Sequence, residues 1–376
     1  MKQNVYQNAF THGTDYGLEE AAEVTKLIQQ GAPTNARYVK RFEKEFANYV
    51  GAQYGVATNS WVGAAQLLTI LLEIKDGDEI IVPAFTFQAS ANIFYKAGAK
   101  IVFADCDSNT FNIDPQKVEE KINSNTRAIV AVHMCGQPCD MNELISIAKK
   151  YNILIIQDVA HAPGATYQGR KLGELSDFAI YSFHQTKNMS TLGEGGMIVT
   201  NNIEYAEKMR RLREHGAGIY IGISSRMTEI QAAVGLIQLQ KLYTHNMGRR
   251  KSAYYLNEYL KDIPGIKVPV EIKNVFHTYH LYNIIIEEEM IKMSRDEFIA
   301  KLWTKKKIMA TTQYHPTVNC LPAYKKVGHG KGECPIAEEL SKKVVTLPIT
   351  YRYMNEEIAY LATSIKELVY NEERLT

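Results

Sequence analysis

The chain has 376 residues, 45% of them hydrophobic and 22% charged, the proportions of a soluble globular protein with more chain than one ordinary core accommodates. Lys and Arg total 43 against 41 Asp and Glu, a formal charge of +2, which argues against a nucleic-acid or membrane surface. Residues 1–12 lack the basic-then-apolar pattern of a secretory leader and no apolar run approaches the roughly 18 residues of a membrane span, so a cytoplasmic protein is expected.

In chain order, residues 17–30 carry Leu18, Ala21, Ala22, Val24, Leu27 and Ile28 at helical spacing, closed by Gly31-Ala-Pro, and residues 38–50 repeat the pattern. Gly55-Val-Ala-Thr-Asn-Ser-Trp-Val-Gly then reads as a short strand, a small polar turn and the start of an apolar helix. A helix opening at Ser60-Trp61-Val62 aims free N–H groups and its positive dipole end forward, as a phosphate site requires; the same residues also suit a plain Ser cap.

Glu79-Ile-Ile-Val-Pro reads as a buried strand, and three further apolar runs each end in a polar residue: Lys100-Ile-Val-Phe-Ala-Asp-Cys-Asp, Thr126-Arg-Ala-Ile-Val-Ala-Val-His and Ile153-Leu-Ile-Ile-Gln-Asp. Helical stretches such as 115–122 and 141–151 separate them. Strands apolar throughout and alternating with helices predict an α/β, three-layer α/β/α fold around a mostly parallel sheet. Ligands gather at the carboxyl ends of such strands, which puts Thr86, Phe87, Asp105, His133, Asp158, His161, Ser182 and Lys187 in one candidate cluster. The five cysteines are odd in number and scattered, against a disulfide framework. Cys135 and Cys139 lack the spacing of a zinc knuckle and no second pair follows, so no metal site is expected.

Asp158 closes its strand, where a carboxylate can keep a pyridine-type cofactor protonated or merely cap a helix; His161 follows it, and a lone histidine there also suits a structural role. Residues 178–183 form the next strand and deliver Ser182, His184 and Lys187 into a polar turn before Gly193-Glu-Gly-Gly leads into a strand ending near Thr200. A lysine so presented is either a solvated charge or an amine that can bond covalently to a carbonyl cofactor.

A basic helix at 204–215 and an apolar-faced one from Arg226 follow; a long helix from about Arg249 leads to a composition break at Ile263-Pro-Gly. Beyond it, residues 279–286 are strand-like, and 294–303, 336–344 and 355–368 helical. The expected division is a large domain over 1–255 and a smaller C-terminal α/β domain over 256–376.

Taken together, Asn59-Ser-Trp-Val-Gly, Pro83-Ala-Phe-Thr-Phe-Gln-Ala-Ser-Ala-Asn, Val132-His-Met-Cys-Gly-Gln-Pro, Gln157-Asp-Val-Ala-His-Ala-Pro-Gly-Ala, Ser182-Phe-His-Gln-Thr-Lys-Asn with Gly193-Glu-Gly-Gly, Arg226-Met-Thr-Glu-Ile-Gln-Ala-Ala and Cys334-Pro-Ile-Ala-Glu resemble the DegT/DnrJ/StrS sugar aminotransferases. These are pyridoxal-phosphate enzymes of the aspartate-aminotransferase fold (fold type I). The resemblance implies that Lys187 is the lysine joined to the cofactor and the proton shuttle, Asp158 the partner of the pyridine nitrogen, and Phe87 the ring stacked on it. It implies a phosphate cradle from Ser60, the Trp61 and Val62 N–H groups and the Ser182 hydroxyl, with His161 near the phenolic oxygen and Ser224 reaching across a homodimer to the partner's phosphate. The family's usual residues at three of these positions are Gln for His161, Asn for Ser224 and Thr for Val62.

The implied reaction moves an amino group from glutamate or glutamine to a keto-sugar, most simply a nucleotide-linked one, with His215, Tyr314 and His315 as candidates for lining the sugar pocket. The nearest alternative acceptors are a keto-cyclitol, an aminobenzoate precursor or a small keto-phosphate; a different class is a regulator that binds the cofactor without turnover. Lys187 argues against the branch of the family that carries His there and acts as a dehydratase. No Gly-x-Gly-x-x-Gly follows the first strand, against a nicotinamide site.

Overall fold

The computed structural model of the chain describes residues 13–31, 34 and 36–372, the last two by backbone alone. Residues 1–12, read as lacking a leader pattern, and the Ala32-Pro33 closure of the first helix lie outside the described residues.

Helix α1 (Leu18–Gln29) and α2 (Arg37–Val50) precede the sheet. In α2, Val39, Phe42, Phe46 and Val50 recur on one face and are buried, and Gly51 ends the helix with φ +82°, a left-handed conformation open to glycine without a Cβ penalty. The sheet elements follow as β1 (Tyr54–Thr58), α3 (Trp61–Leu71), β2 (Glu79–Pro83), α4 (Ala89–Lys96), β3 (Lys100–Ala104), α5 (Pro115–Glu119), β4 (Thr126–Val132), α6 (Met141–Tyr151) and β5 (Leu154–Asp158). A small hairpin of β6 (Thr166–Tyr167) and β7 (Arg170–Lys171) leads to β8 (Phe178–Ser182), β9 (Gly196–Thr200) and α7 (Ile203–Leu212).

Seven strands form one sheet in the order β1-β9-β8-β5-β4-β2-β3. The run from β8 to β3 is parallel, and β9 alone is inverted, antiparallel to both β8 and β1. Alternate residues of one strand feed two cores. Ile129 and Ala131 of β4 pack with Phe42, Phe46, Leu144 and Leu236 on one face. Ala128, Val130 and Val132 pack with Leu67, Leu68, Phe94 and Met209 on the other. This is the expected three-layer arrangement, in which strands buried on both faces are apolar at nearly every position.

The chain from 226 onward departs from the reading in one respect. What reads as two helices is one, α8 (Glu229–Leu260), opened by a capping box between Thr228 and Gln231. No proline interrupts it, and its buried face changes partner along its length. Leu236, Leu239 and Leu242 belong to the large core, Ala253, Leu256 and Leu260 to a third. The division at 255/256 thus falls within a continuous helix. The third core gathers Tyr282, Ile284 and Ile286 of β12 (Tyr282–Ile286), which pairs with β10 (Ile266–Lys267) and β13 (Val344–Leu347), and helices α9 (Arg295–Lys306) and α11 (Asn355–Glu372). Leu281 and Ile285 turn the other way, into the large-domain core. Helix α10 (Pro335–Lys343) completes this half, and β11 (Val275–Phe276) joins the β6–β7 hairpin. Among the described residues no helix is long and apolar enough to cross a membrane.

Candidate active site

Strand register assembles the site. Ser182, the last residue of β8, pairs with Gly196, the first of β9, and Gly196 pairs on its other side with Thr58, the last of β1. Because β9 is inverted, its start lies on the same sheet edge as the ends of β1, β8, β5 and β4. The 183–195 loop carrying Lys187 therefore leaves and returns along that edge, beside the start of α3. A Cβ added at Gly196 would fall 2.3 Å from the Ser60 carbonyl oxygen, so this strand start admits only glycine without displacement.

A cavity of about 410 Å³ opens here. Of the residues picked out in the sequence, Ser60, Trp61, Val62, Phe87, Asp158, His161, Ser182, Lys187 and Tyr314 all line it. Ser60 is the N-cap of α3 and its Oγ accepts from Gly63 N at 3.0 Å. The N–H groups of Trp61 and Val62 have no carbonyl of their own helix to bind and stand at the cavity wall. Ser182 lies at the end of its strand, 6% exposed, and Phe87 leaves half its surface open to the cavity mouth.

Asp158 is buried at the end of β5. Its Oδ2 accepts from Ser90 Oγ at 2.7 Å and its Oδ1 from Ala160 N at 3.1 Å. Burial raises its affinity for a proton, against which the Ser90 and Ala160 donors, the Lys187 charge and the Trp61 indole N–H act in the opposite sense. That indole nitrogen is buried without a hydrogen-bond partner of its own. Lys187 is half-buried, and burial brings its ammonium down to about 8, partly countered by Asp158. The Lys187 side chain makes no hydrogen bond or ion pair among the described residues.

His161 Nε2 and Tyr314 Oη lie 3.1 Å apart, with the two rings nearly parallel. Burial, with the Lys187 charge adding to it, holds His161 well below the ordinary histidine value, so the ring is neutral. The sequence reading overlooked Ser90, His280, Gln313 and Glu194, which also line the cavity. Ser90 lies one helical turn beyond Thr86 in the same quoted motif, a usable signal; His280 and Gln313 come from the distant small domain.

Some expectations meet a different placement. Asp105 turns away from the cavity and caps α10, accepting from Ile336 N at 2.9 Å and Ala337 N at 2.8 Å. His133 is fully buried, between Gln157 Oε1 at 2.9 Å and Cys139 N at 3.0 Å, and burial lowers it to about 4. It is a neutral structural histidine. His315 follows Tyr314 in a turn, and while Tyr314 reaches His161, the His315 Nδ1 meets Ser341 Oγ at 2.9 Å. It does not line the cavity, contrary to its reading as a substrate contact. His215 and Ser224 are exposed and also lie outside the cavity of this chain. The neighbouring Ser225 turns inward instead, donating to Asn59 Oδ1 at 3.0 Å. The cysteines are all free, and no group of three or more His, Cys, Asp or Glu among the described residues is placed to hold a metal.

Comparison with known families matches residues 15–366 to the DegT/DnrJ/EryC1/StrS aminotransferase family. The chain belongs to that family. It is 35% identical over 363 residues to a dTDP-3-amino-3,6-dideoxy-alpha-D-galactopyranose transaminase of Aneurinibacillus thermoaerophilus, covering 94% of this chain and 96% of that one. It is 32% identical over 371 residues to a GDP-perosamine synthase of Escherichia coli O157:H7, covering 96% and 97%. The crystal structure of S. venezuelae DesV in complex with a ketimine intermediate superposes with a TM-score of 0.89 at 31% identity, covering 98% of this chain and 97% of that one. The fold is therefore the aminotransferase α/β fold with its mostly parallel sheet, and the chain is an enzyme of a pyridoxal-phosphate-dependent family.

The cavity of this aminotransferase fits that cofactor on its own chemistry. A buried carboxylate with no cation in hydrogen-bond contact suits a protonated ring nitrogen. Free N–H groups at a helix start suit a phosphate, and a lysine at about 8 suits covalent attachment to a carbonyl.

Proposed function

We propose that this aminotransferase moves an amino group from glutamate or glutamine to a keto group of a nucleotide-linked keto-deoxysugar. The observation that carries the reading is the meeting, in one buried cavity, of Lys187 and Asp158 with the start of α3. When bound, pyridoxal phosphate supplies an electron sink for the carbon that carries the amino group.

The residues then have distinct tasks. Trp61 N–H, Val62 N–H and the Ser60 and Ser182 hydroxyls bind the phosphate and fix the ring's position along the sheet edge. Asp158 would accept a hydrogen bond from the protonated ring nitrogen and so keep it protonated, and Ser90 holds its carboxylate by the 2.7 Å hydrogen bond. Phe87 covers one ring face and His161, backed by Tyr314, stands at the ring's polar side. Lys187 takes and returns a proton, a role suited to an amine near 8, where both of its forms are populated around neutral to mildly alkaline pH.

His215 and Ser224, exposed on this chain, suit a homodimer in which each copy offers them to its partner's cavity, Ser224 toward the phosphate and His215 toward the sugar. Tyr314 meets the substrate from within the chain. The nucleotide-sugar acceptor is supported by the relatives named for dTDP- and GDP-sugars; a cytoplasmic setting follows from such substrates. The test is to supply glutamate or glutamine and a panel of keto-sugar nucleotides and to follow formation of the amino sugar. Amination of none of them, with the cofactor bound, would overturn the acceptor assignment.

A further inference from the structure

His280 lies at the base of the cavity, 8% exposed, beyond the residues given a role above. Its protonation pattern is set by a chain of amides that begins at two carbonyl groups, which can only accept. Asn246 Nδ2 donates to Pro163 O at 2.9 Å, which turns Asn246 Oδ1 toward Asn188. Asn188 Nδ2 donates to that Oδ1 at 3.0 Å and to Thr278 O at 3.0 Å. The Asn188 amide is thus fixed twice over, and its Oδ1 faces His280 Nδ1 at 3.1 Å. An oxygen there requires Nδ1 to carry the hydrogen.

The ring's backbone is held as firmly. His280 N donates to Cys135 O at 2.8 Å, and its carbonyl accepts from Arg249 Nη1 at 3.4 Å; the same guanidinium also donates to Ile349 O at 3.2 Å. Burial, followed by the neighbouring His161, Lys187, Arg249 and His184, keeps His280 well below the ordinary histidine value, so a second ring proton is disfavoured. Its Nε2 makes no hydrogen bond among the described residues. A neutral imidazole with Nδ1–H leaves a lone pair on Nε2, and the cavity is where that edge is free to act.

We propose that His280 is locked as the Nδ1–H tautomer so that Nε2 accepts a hydrogen bond from an amine in the cavity, either the Lys187 amine or the ammonium of the incoming amino donor. His280 is then a positioning residue, aiming the nitrogen that must attack or accept a proton. The Asn188 that locks it follows Lys187 directly in the chain, so one amide ties the lysine loop to its acceptor. The inference rests on the aminotransferase reading only for the identity of the amine.

Neutron diffraction from a deuterated crystal reads the lock directly: deuterium on Nδ1 and none on Nε2 is expected, and deuterium on Nε2 overturns the proposal. That result stands whether or not any acceptor is found, which separates it from the functional reading. For the role, His280→Asn keeps a donor toward Asn188 but removes the distal acceptor, and His280→Gln restores an acceptor near the Nε2 position. The expectation is a loss of about 10- to 100-fold in amino transfer for His280→Asn, the worth of one hydrogen bond to a charged group, with recovery in His280→Gln. A loss confined to KM for glutamate assigns the bond to the donor ammonium; a loss confined to the single-turnover rate assigns it to Lys187. Unchanged KM and rate in His280→Asn overturn the proposal.

Discussion

Ser90 and Asp158 are joined by a 2.7 Å hydrogen bond that links the first turn of α4 to the end of β5, across the strand ends of a parallel sheet. Ser90 is itself buried. Ser90→Ala should leave the fold intact and weaken pyridoxal phosphate binding by about 10-fold or more, the loss of one hydrogen bond to a charged group. Titration of the cofactor-free protein with pyridoxal phosphate, followed by absorbance, checks this; unchanged affinity would remove Ser90 from the site's support.

Lys187 stands at about 8 where a free lysine stands at 10.5. Its reaction with a small amine-directed reagent in the cofactor-free protein should therefore rise through a midpoint near 8. The stability consequence has a definite sign. Between about 8 and 10.5 the unfolded chain binds the proton that the folded chain has released, so stability rises with pH across that window. Lys187→Met should be the more stable cofactor-free protein below 8, and the difference should close as pH approaches 10.5. Chemical denaturation of both proteins across this range measures it.

Much of this architecture is legible from residues alone. The apolar runs read from Glu79, Lys100, Thr126 and Ile153 mark the parallel strands to within one residue at their starts and three at their ends, because strands buried on both faces are nearly continuous apolar runs. Asp158 is visible because it ends a strand, Lys187 because it follows one in a polar turn, and Trp61 because it opens a helix. What is not legible is side-chain direction after a strand. Asp105 and Asp158 both follow apolar runs, yet one caps a helix of the distant small domain and the other faces the cavity. His280 and Gln313 escape notice for the same reason: their place depends on how α8 carries the small domain back to the sheet edge.

Gly196→Ala tests the close approach at that edge. The new methyl would meet the Ser60 carbonyl at 2.3 Å and push the start of α3 away from the cavity. Phosphate affinity should fall more than fold stability, since the collision lies at the helix cap rather than in either core. Competition of inorganic phosphate with pyridoxal phosphate, alongside thermal unfolding, distinguishes the two; equal phosphate binding in variant and wild type would show that the cap moves without cost to the cradle.

Away from the site, Arg213 Nη1 reaches Glu43 Oε1 and Ala57 O, both at 2.6 Å, and Glu43 Oε1 also accepts from Ala57 N at 2.9 Å. The two side chains are buried and tie the segment after α7 to α2 and β1. Arg213→Met leaves the Glu43 carboxylate buried without its main cation and should cost about 3–5 kcal/mol of stability, as breaking one side of a buried pair does. Urea unfolding checks it, and a loss within measurement error would mean that the neighbouring Arg210, 3.7 Å from Glu43 Oε2, takes over the role.

The most direct test of the central claim is the visible absorption spectrum of the cofactor-loaded protein and of Lys187→Ala, recorded before and after glutamate or glutamine and then after each keto-sugar nucleotide. The account predicts a band that depends on Lys187, is shifted by the amino donor and is restored by an acceptor that emerges aminated. A bound cofactor that no donor shifts, or a wild-type spectrum indistinguishable from that of Lys187→Ala, would contradict it.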